Sequence, residues 1–242
     1  MGVRIIATGV DAEQYASEYS SPVVRSLEAI FFQNTSLEKV SHNYVPAKLS
    51  GSIVGTPSPT ATATTFKSMA NYVTTDVTET DYMTWFIVAR SELDGTNQAS
   101  RAVFLGNYDS TSNPPGCGMY IQNTNRVSGF ACYGVDAASN VLVASSVNST
   151  KTVTDWNLYA VIVQPGGVTM RNLTTNQTGT IANVNPRRKA TTKIRIGSSI
   201  TTYSGQCDIA VAQLHSATLT ETEIQTVAAD LRAYALRRGL TV

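Results

Sequence analysis

The sequence predicts an all-β fold: two antiparallel sheets packed as a sandwich, with a C-terminal α-helix. Three observations carry that expectation. From residue 82 onward, short apolar runs alternate with turn residues at intervals of roughly eight to fifteen residues, the rhythm of a sandwich. These runs are more numerous than one twisted sheet holds comfortably. Near the C-terminus the apolar period changes from two to 3.6, which marks a helix.

Residues 1–22 hold a strand-like run at 3–7 and a polar segment with Tyr15 and Tyr19 that has no evident place in a core. They are read as an N-terminal arm able to dock elsewhere, and 23–242 as one domain. Residues 27–33 read as a strand, with the end of a helix begun at Ser21-Pro22 as the alternative. The Thr/Ala/Pro/Gly stretch 51–65 has no clear period. Run 82–90 places Met83, Trp85, Ile87 and Ala89 on one face, and runs 102–105, 117–121, 127–135 and 141–147 follow. Runs 156–164 and 168–173 flank Pro165-Gly166-Gly167, so they should form a hairpin in which glycine supplies positive φ. Run 193–197 puts Ile194 and Ile196 on one face, and 207–214 does the same with Ile209 and Val211. Ile224, Val227, Ala228, Leu231 and Ala235 then form a single helical stripe. Thr220 and Glu223 can make a capping box, Leu219 and Ile224 a hydrophobic staple, and Gly239 a left-handed C-cap.

Composition removes several function classes. Charged residues are 14% of the chain, against roughly 25% in an average domain, while hydrophobic residues are an ordinary 42%. That balance is not that of a disordered chain. A net charge of +1, with basic clusters only at Arg187-Arg188-Lys189 and Arg237-Arg238, gives no footprint for nucleic acid. No apolar run reaches the roughly 18 residues needed to insert in a membrane, and the opening residues carry no secretory pattern. Cys117, Cys132 and Cys207 lack metal-ligand spacing; they read as buried free thiols, with a Cys117–Cys132 bridge left open.

Several segments resemble a known family. "LEAIFFQN", then "SGSIVGTPSPTATATTF" and "NYVTT", resemble the opening of laminin-G-like, concanavalin A-like lectin/glucanase domains. "WNLYAVIVQPGGVTMRN" is similar to the family's Trp-led hairpin, and "IRIGSSITTYSGQCDIAVAQLHSATLTETEI" to its closing pattern. The match covers residues 27–239. It implies a jelly-roll sandwich with one concave sheet, in agreement with the run pattern. Such domains with a short N-terminal arm and a Thr/Ala/Ser/Asn-rich surface also resemble structural proteins of tailed bacteriophages.

The scaffold serves lectins, glycan-cleaving enzymes and assembly modules, so the site must decide. The enzymatic branch resembles a Glu-x-Asp-x-x-Glu strand; Glu79-Thr80-Asp81 runs on to Thr84 and Glu92-Leu93-Asp94 to Asn97, so each lacks the third carboxylate. His42 and His215 have no nucleophile elbow beside them and read as structural. Lectin branches hold calcium with loop Asp and Asn, for which Asp109, Asn113, Asp136 and Asn140 match by type but not by spacing. No catalytic residue, metal site or cofactor is therefore expected. A sugar platform needs aromatic rings beside amides and carboxylates, which nominates Tyr108, Tyr120 and Tyr133 with Asn107, Asp109 and Gln122. Alternation turns Tyr120 and Tyr133 away from the core.

The expected function is a non-enzymatic bacteriophage virion protein, tail-associated or decorating the capsid, that displays a lectin-like module for host surface glycan. Its partners would be other virion proteins and its own copies, as a homo-oligomer taken to be a trimer. A free lectin and a glycoside hydrolase are the alternatives.

Overall fold

Alternation of buried side chains along the runs builds two sheets in a computed structural model that describes residues 16–92, 95–123, 126–148 and 152–242. The first half comprises β1 (Leu27–Phe32), α1 (Leu37–Ser41), β2 (Ser52–Val54), β3 (Ser58–Pro59), β4 (Thr64–Lys67), β5 (Tyr72–Thr74), β6 (Met83–Arg90) and β7 (Val103–Gly106). Next come β8 (Gly118–Asn123), β9 (Arg126–Tyr133), β10 (Val141–Asn148), β11 (Asn157–Gln164), β12 (Gly167–Asn172) and β13 (Gln177–Ala182). The chain closes with β14 (Arg195–Ile196), β15 (Gln206–His215) and α2 (Glu221–Arg237). Sheet I has the order β13-β12-β11-β6-β15-β4-β3, with β1 sharing the β4 side of β15; sheet II has the order β10-β9-β8-β7-β14-β5-β2. The arrangement is a two-sheet antiparallel jelly-roll sandwich with a C-terminal helix, as expected. No helix among the described residues is long and apolar enough to cross a membrane.

The molecule has two apolar layers. Between the sheets lie Phe31, Trp85, Ile87, Phe104, Met119, Ile121, Tyr159, Val161 and Ile196. On the outer face of sheet I, Ile30, Phe32, Phe86, Val88, Leu158 and Ile162 pack against Ile224, Val227, Leu231 and Tyr234 of α2. Met83, Trp85, Ile87 and Ala89 share the inner face of β6, as their spacing predicts. The hairpin forms as read, with Gln164 paired to Gly167 across its turn. Gly167 has φ +134, and a Cβ there would come within 2.1 Å of the Ile181 carbonyl, so β12 and β13 can approach only at a glycine. The capping box of α2 is complete, its stripe is buried and Gly239 takes φ +74.

Four expectations change. Ile209 and Val211 do not share a face, because a β-bulge between them inserts one residue: Ile209 joins the inter-sheet layer and Val211 the layer under α2. The stretch 51–65 contributes the short strands β2 and β3 and the start of β4. β13 and α1 were not expected, since QTGTIA and LEKVS carry too few apolar residues to show a period. Tyr19 does have a place in the core: its ring meets Phe32 edge-on at 5.1 Å and its hydroxyl donates to Asp230 (2.7 Å). Residues 16–22 thus lie on their own domain, while Tyr15 and the run 3–7 are outside the described residues. Cys117, Cys132 and Cys207 are buried and free.

One buried ion pair ties the connection between β13 and β14 to sheet II. Arg187 donates to Glu79 at 2.6 Å with both side chains fully buried, and also donates to the Cys132 carbonyl (2.9 Å). Asn107 and the Ala190 amide donate to the other Glu79 oxygen, each at 3.1 Å. Such a pair is tolerated only because its remaining hydrogen-bonding capacity is largely met.

His215 is buried at the end of β15, with Nδ1 3.0 Å from the Arg25 carbonyl and Nε2 2.8 Å from the Gln213 amide nitrogen. The neutral ring satisfies both contacts, with Nδ1–H donating and Nε2 accepting. Burial depresses its pKa below the usual 6.5. The unfolded chain therefore binds a proton that the folded chain refuses, so this group's stability is present above pH 6.5 and lost as pH falls below it. Urea midpoints compared at about pH 7.5 and about pH 5.5 should drop for the wild type and drop less for His215→Gln; equal drops in both would contradict the assignment.

Candidate ligand-binding groove

Four neighbouring strands of sheet I bring one row of polar side chains to its outer face. Arg90 of β6 is paired with Asp208 of β15, and Asp208 with Thr65 of β4. Trp156 immediately precedes β11, whose first residue pairs with Ala89, and so extends the row beside Arg90. The bulge makes this possible: it leaves Asp208 on the outer face while Ala212 and Leu214, farther along β15, stay in the inter-sheet layer. Leu158, Val88, Ala210 and Ala63 lie in the adjoining apolar layer beneath α2, so the polar row begins where the helix cover ends.

The row is held internally. Arg90 Nε and Nη2 both donate to Asp208 Oδ2 at 3.0 Å, and Thr65 donates to Oδ1 at 2.7 Å. The Arg90 guanidinium lies 5.2 Å over the Trp156 ring, and Glu92 stands 3.9 Å from Arg90. Around the row is an open groove of about 580 Å³ lined also by Thr60, Thr62, Lys67, Ser204 and Gln206. A half-buried indole, an anchored carboxylate, several hydroxyls and the Gln206 amide are the chemistry that meets a pyranose, with one apolar face and a rim of hydroxyls. Cys207 lies below the groove, where burial pushes its thiol up, so it supplies no nucleophile.

The six nominated platform residues separate. Tyr108 and Tyr120 come into one aromatic cluster on the outer face of sheet II, joined through Phe130 and Tyr203, which both contact. Tyr120 stacks on Tyr203 (5.2 Å, 15° between planes), meets Phe130 at 5.4 Å and has Arg101 5.9 Å over its ring. Tyr108 meets Phe130 edge-on at 5.4 Å and Tyr203 at 5.7 Å. The rings pack on one another, which leaves little open face for a sugar. Tyr133 points into the inter-sheet core, contrary to the alternation reading, and its hydroxyl donates to the Gln164 and Gly167 carbonyls at 2.8 and 2.7 Å. Its burial raises its pKa to about 12. Asn107 is buried, bonded to Glu79, the Thr192 carbonyl and the Cys117 amide. Asp109 closes its own turn through Ser112 and Thr111, whose hydrogen bonds lower its pKa to about 2. Gln122 accepts from Ser128 and Ser146 at 2.7 and 3.2 Å on the sheet II surface.

The fragments weighed for catalysis are spread apart. Glu79 is the buried partner of Arg187, and Asp81 pairs at the surface with Lys189 (2.5 Å). Glu92 reaches the groove mouth, while Leu93 and Asp94 are outside the described residues. The two carboxylates of the groove both face Arg90, so neither stands against an apolar wall away from a cation, as a glycosidase's general acid does. His42 Nε2 lies 2.7 Å from the Ser17 carbonyl, a packing role. Asn140 donates to Asn113, joining two loops, and Asp136 caps its own turn through the Ser139 amide (2.9 Å). Among the described residues, no three His, Cys, Asp or Glu side chains gather as a metal site.

No protein-family model and no curated protein matches the chain. Solved structures share its fold. The binding domain of botulinum neurotoxin DC in complex with SialylT has a TM-score of 0.59 at 12% identity, over 85% of this chain and 52% of that one. The serotype D binding domain gives 0.58 at 11% identity, over 85% and 51%. A type C structure, described in terms of cell entry dependent on two ganglioside molecules, gives 0.57 at 12%, again over 85% and 51%. The chain spans about half the length of these neurotoxin chains. At such identity the likeness establishes the sandwich and leaves the groove to its own chemistry.

Trp85 is buried between the sheets and Trp156 lies at the groove. Acrylamide should therefore quench one component of the tryptophan emission and spare the other, and Trp156→Phe should remove the quenchable component. Quenching unchanged by that substitution would contradict the placement of Trp156.

Proposed function

We propose that the chain is a non-enzymatic, glycan-binding display module of a tailed-bacteriophage particle, and that the Trp156 groove receives the sugar. The observation that carries this reading is the cross-strand row Trp156–Arg90–Asp208–Thr65 flooring a groove on the outer face of sheet I. Rigid strands hold the row, and the Arg90–Asp208–Thr65 bonds fix its side chains before a ligand arrives, which lowers the ordering cost of binding. The fold shared with receptor-binding domains is consistent with this, since that sandwich carries recognition in other proteins. The particle assignment rests on the resemblance of the sequence to phage structural proteins, together with the low charge of its surface. Display of several copies would multiply a weak single-site affinity through avidity.

Binding of the purified chain to host cell-surface polysaccharide tests the reading. Trp156→Ala removes the aromatic wall and should weaken binding by about tenfold, the scale of losing about 1.4 kcal/mol of ring contact. Tyr120→Ala should change it far less. Antibody to the chain should also label gradient-purified particles. Binding lost with Tyr120→Ala but kept with Trp156→Ala would move the site to sheet II, and unlabelled particles would remove the virion assignment.

A further inference from the structure

The charges around the groove select among sugars, and this step rests on the glycan-binding reading above. Lys67 and Arg90 are offset by Glu92 and Asp208, so the lining carries no net charge. The guanidinium that would seize an acidic sugar is already committed: Arg90 Nε and Nη2 both close on Asp208 Oδ2 at 3.0 Å. Asp208 takes two of its N–H donors and Glu92 stands 3.9 Å from Nη2, so a ligand carboxylate would be the third carboxylate brought against one guanidinium. Like charges crowded together in this way repel. Glu92, 78% exposed at the mouth, adds repulsion toward an anion before it arrives. What remains for a ligand is the indole edge and face, the Thr and Ser hydroxyls, the Gln206 amide and the exposed Lys67 ammonium, which donates to hydroxyls as well as to anions and whose charge the lining offsets.

We infer that the groove recognises a neutral glycan, built of hexose or N-acetylhexosamine units, and rejects sialylated and uronic-acid sugars. It would thus differ in ligand charge from the SialylT complex of the neurotoxin domain that shares its fold.

The test uses the full chain on an array of neutral oligosaccharides printed beside the same oligosaccharides ending in sialic acid or carrying uronic acids. Neutral forms should bind about tenfold or more tightly than their acidic counterparts. Glu92→Lys reverses the charge at the mouth from an exposed position outside the core, and it should narrow that ratio by about threefold or more, most at low salt. Asp208→Asn frees Arg90 and should raise binding of the acidic forms, with thermal unfolding used to confirm that the variant folds. Tighter binding of acidic forms by the wild type, or a ratio untouched by Glu92→Lys, overturns the inference while leaving a glycan-binding protein. Binding to no glycan of either kind overturns the reading on which it rests, and the inference with it.

Discussion

Sheet I has to bury both of its faces, and the rest of the structure follows from how β15 meets that demand. One face closes on sheet II and the other on α2, so the central strands carry apolar side chains at nearly every position. Strict alternation along β15 would satisfy one half of the strand and turn Asp208 into the core in the other. The extra residue at the bulge resets the phase: Ala212 and Leu214 face inward above it, Cys207 and Ile209 face inward below it, and Asp208 is returned to the surface. A buried unpaired carboxylate would cost several kcal/mol, so the bulge is a condition of folding as well as of the site.

The groove is where the helix cover of sheet I stops. Under α2 the strands present Phe86, Val88, Leu158 and Val211; at the uncovered end they present Arg90, Trp156, Asp208 and Thr65. A surface of this kind must be wet, and its polar groups are bonded to one another rather than left waiting, which makes it stiff. On the opposite side of the molecule Tyr108 and Tyr120 of sheet II are also exposed in part, but both pack against the Tyr203 ring. Aromatic content alone therefore separates the two surfaces poorly; whether the rings are packed by neighbours separates them well.

Much of the architecture was legible in the sequence because it follows from burial. The inner face of β6, the hairpin around Gly167 and the capped stripe of α2 are all written in period and turn chemistry. The unread parts are those that burial does not mark. β13 is an edge strand of Thr and Gly with an exposed pattern, and α1 is a short turn of helix with only Val40 buried. Tyr120 faces outward as alternation between Met119 and Ile121 indicates, but Tyr133 lies inside, in regular alternation with Val127 and Ala131, because a buried tyrosine whose hydroxyl is satisfied by carbonyls reads in sequence like an exposed one. The groove was hidden for a deeper reason. Its members sit at positions 65, 90, 156 and 208 and become neighbours only through long-range pairing of four strands. Two signals were available: a Trp opening a strand, and an Asp interrupting the apolar run of β15.

The most direct measurement is NMR during titration with uncharged host-surface oligosaccharide, reading the two indole N–H groups by ¹H–¹⁵N correlation and the tyrosine rings by ¹H–¹³C correlation. The account predicts that the Trp156 indole signal moves with ligand while that of Trp85 and the ring signals of Tyr108, Tyr120 and Tyr203 stay in place. Movement of the tyrosine signals with Trp156 unchanged would contradict it.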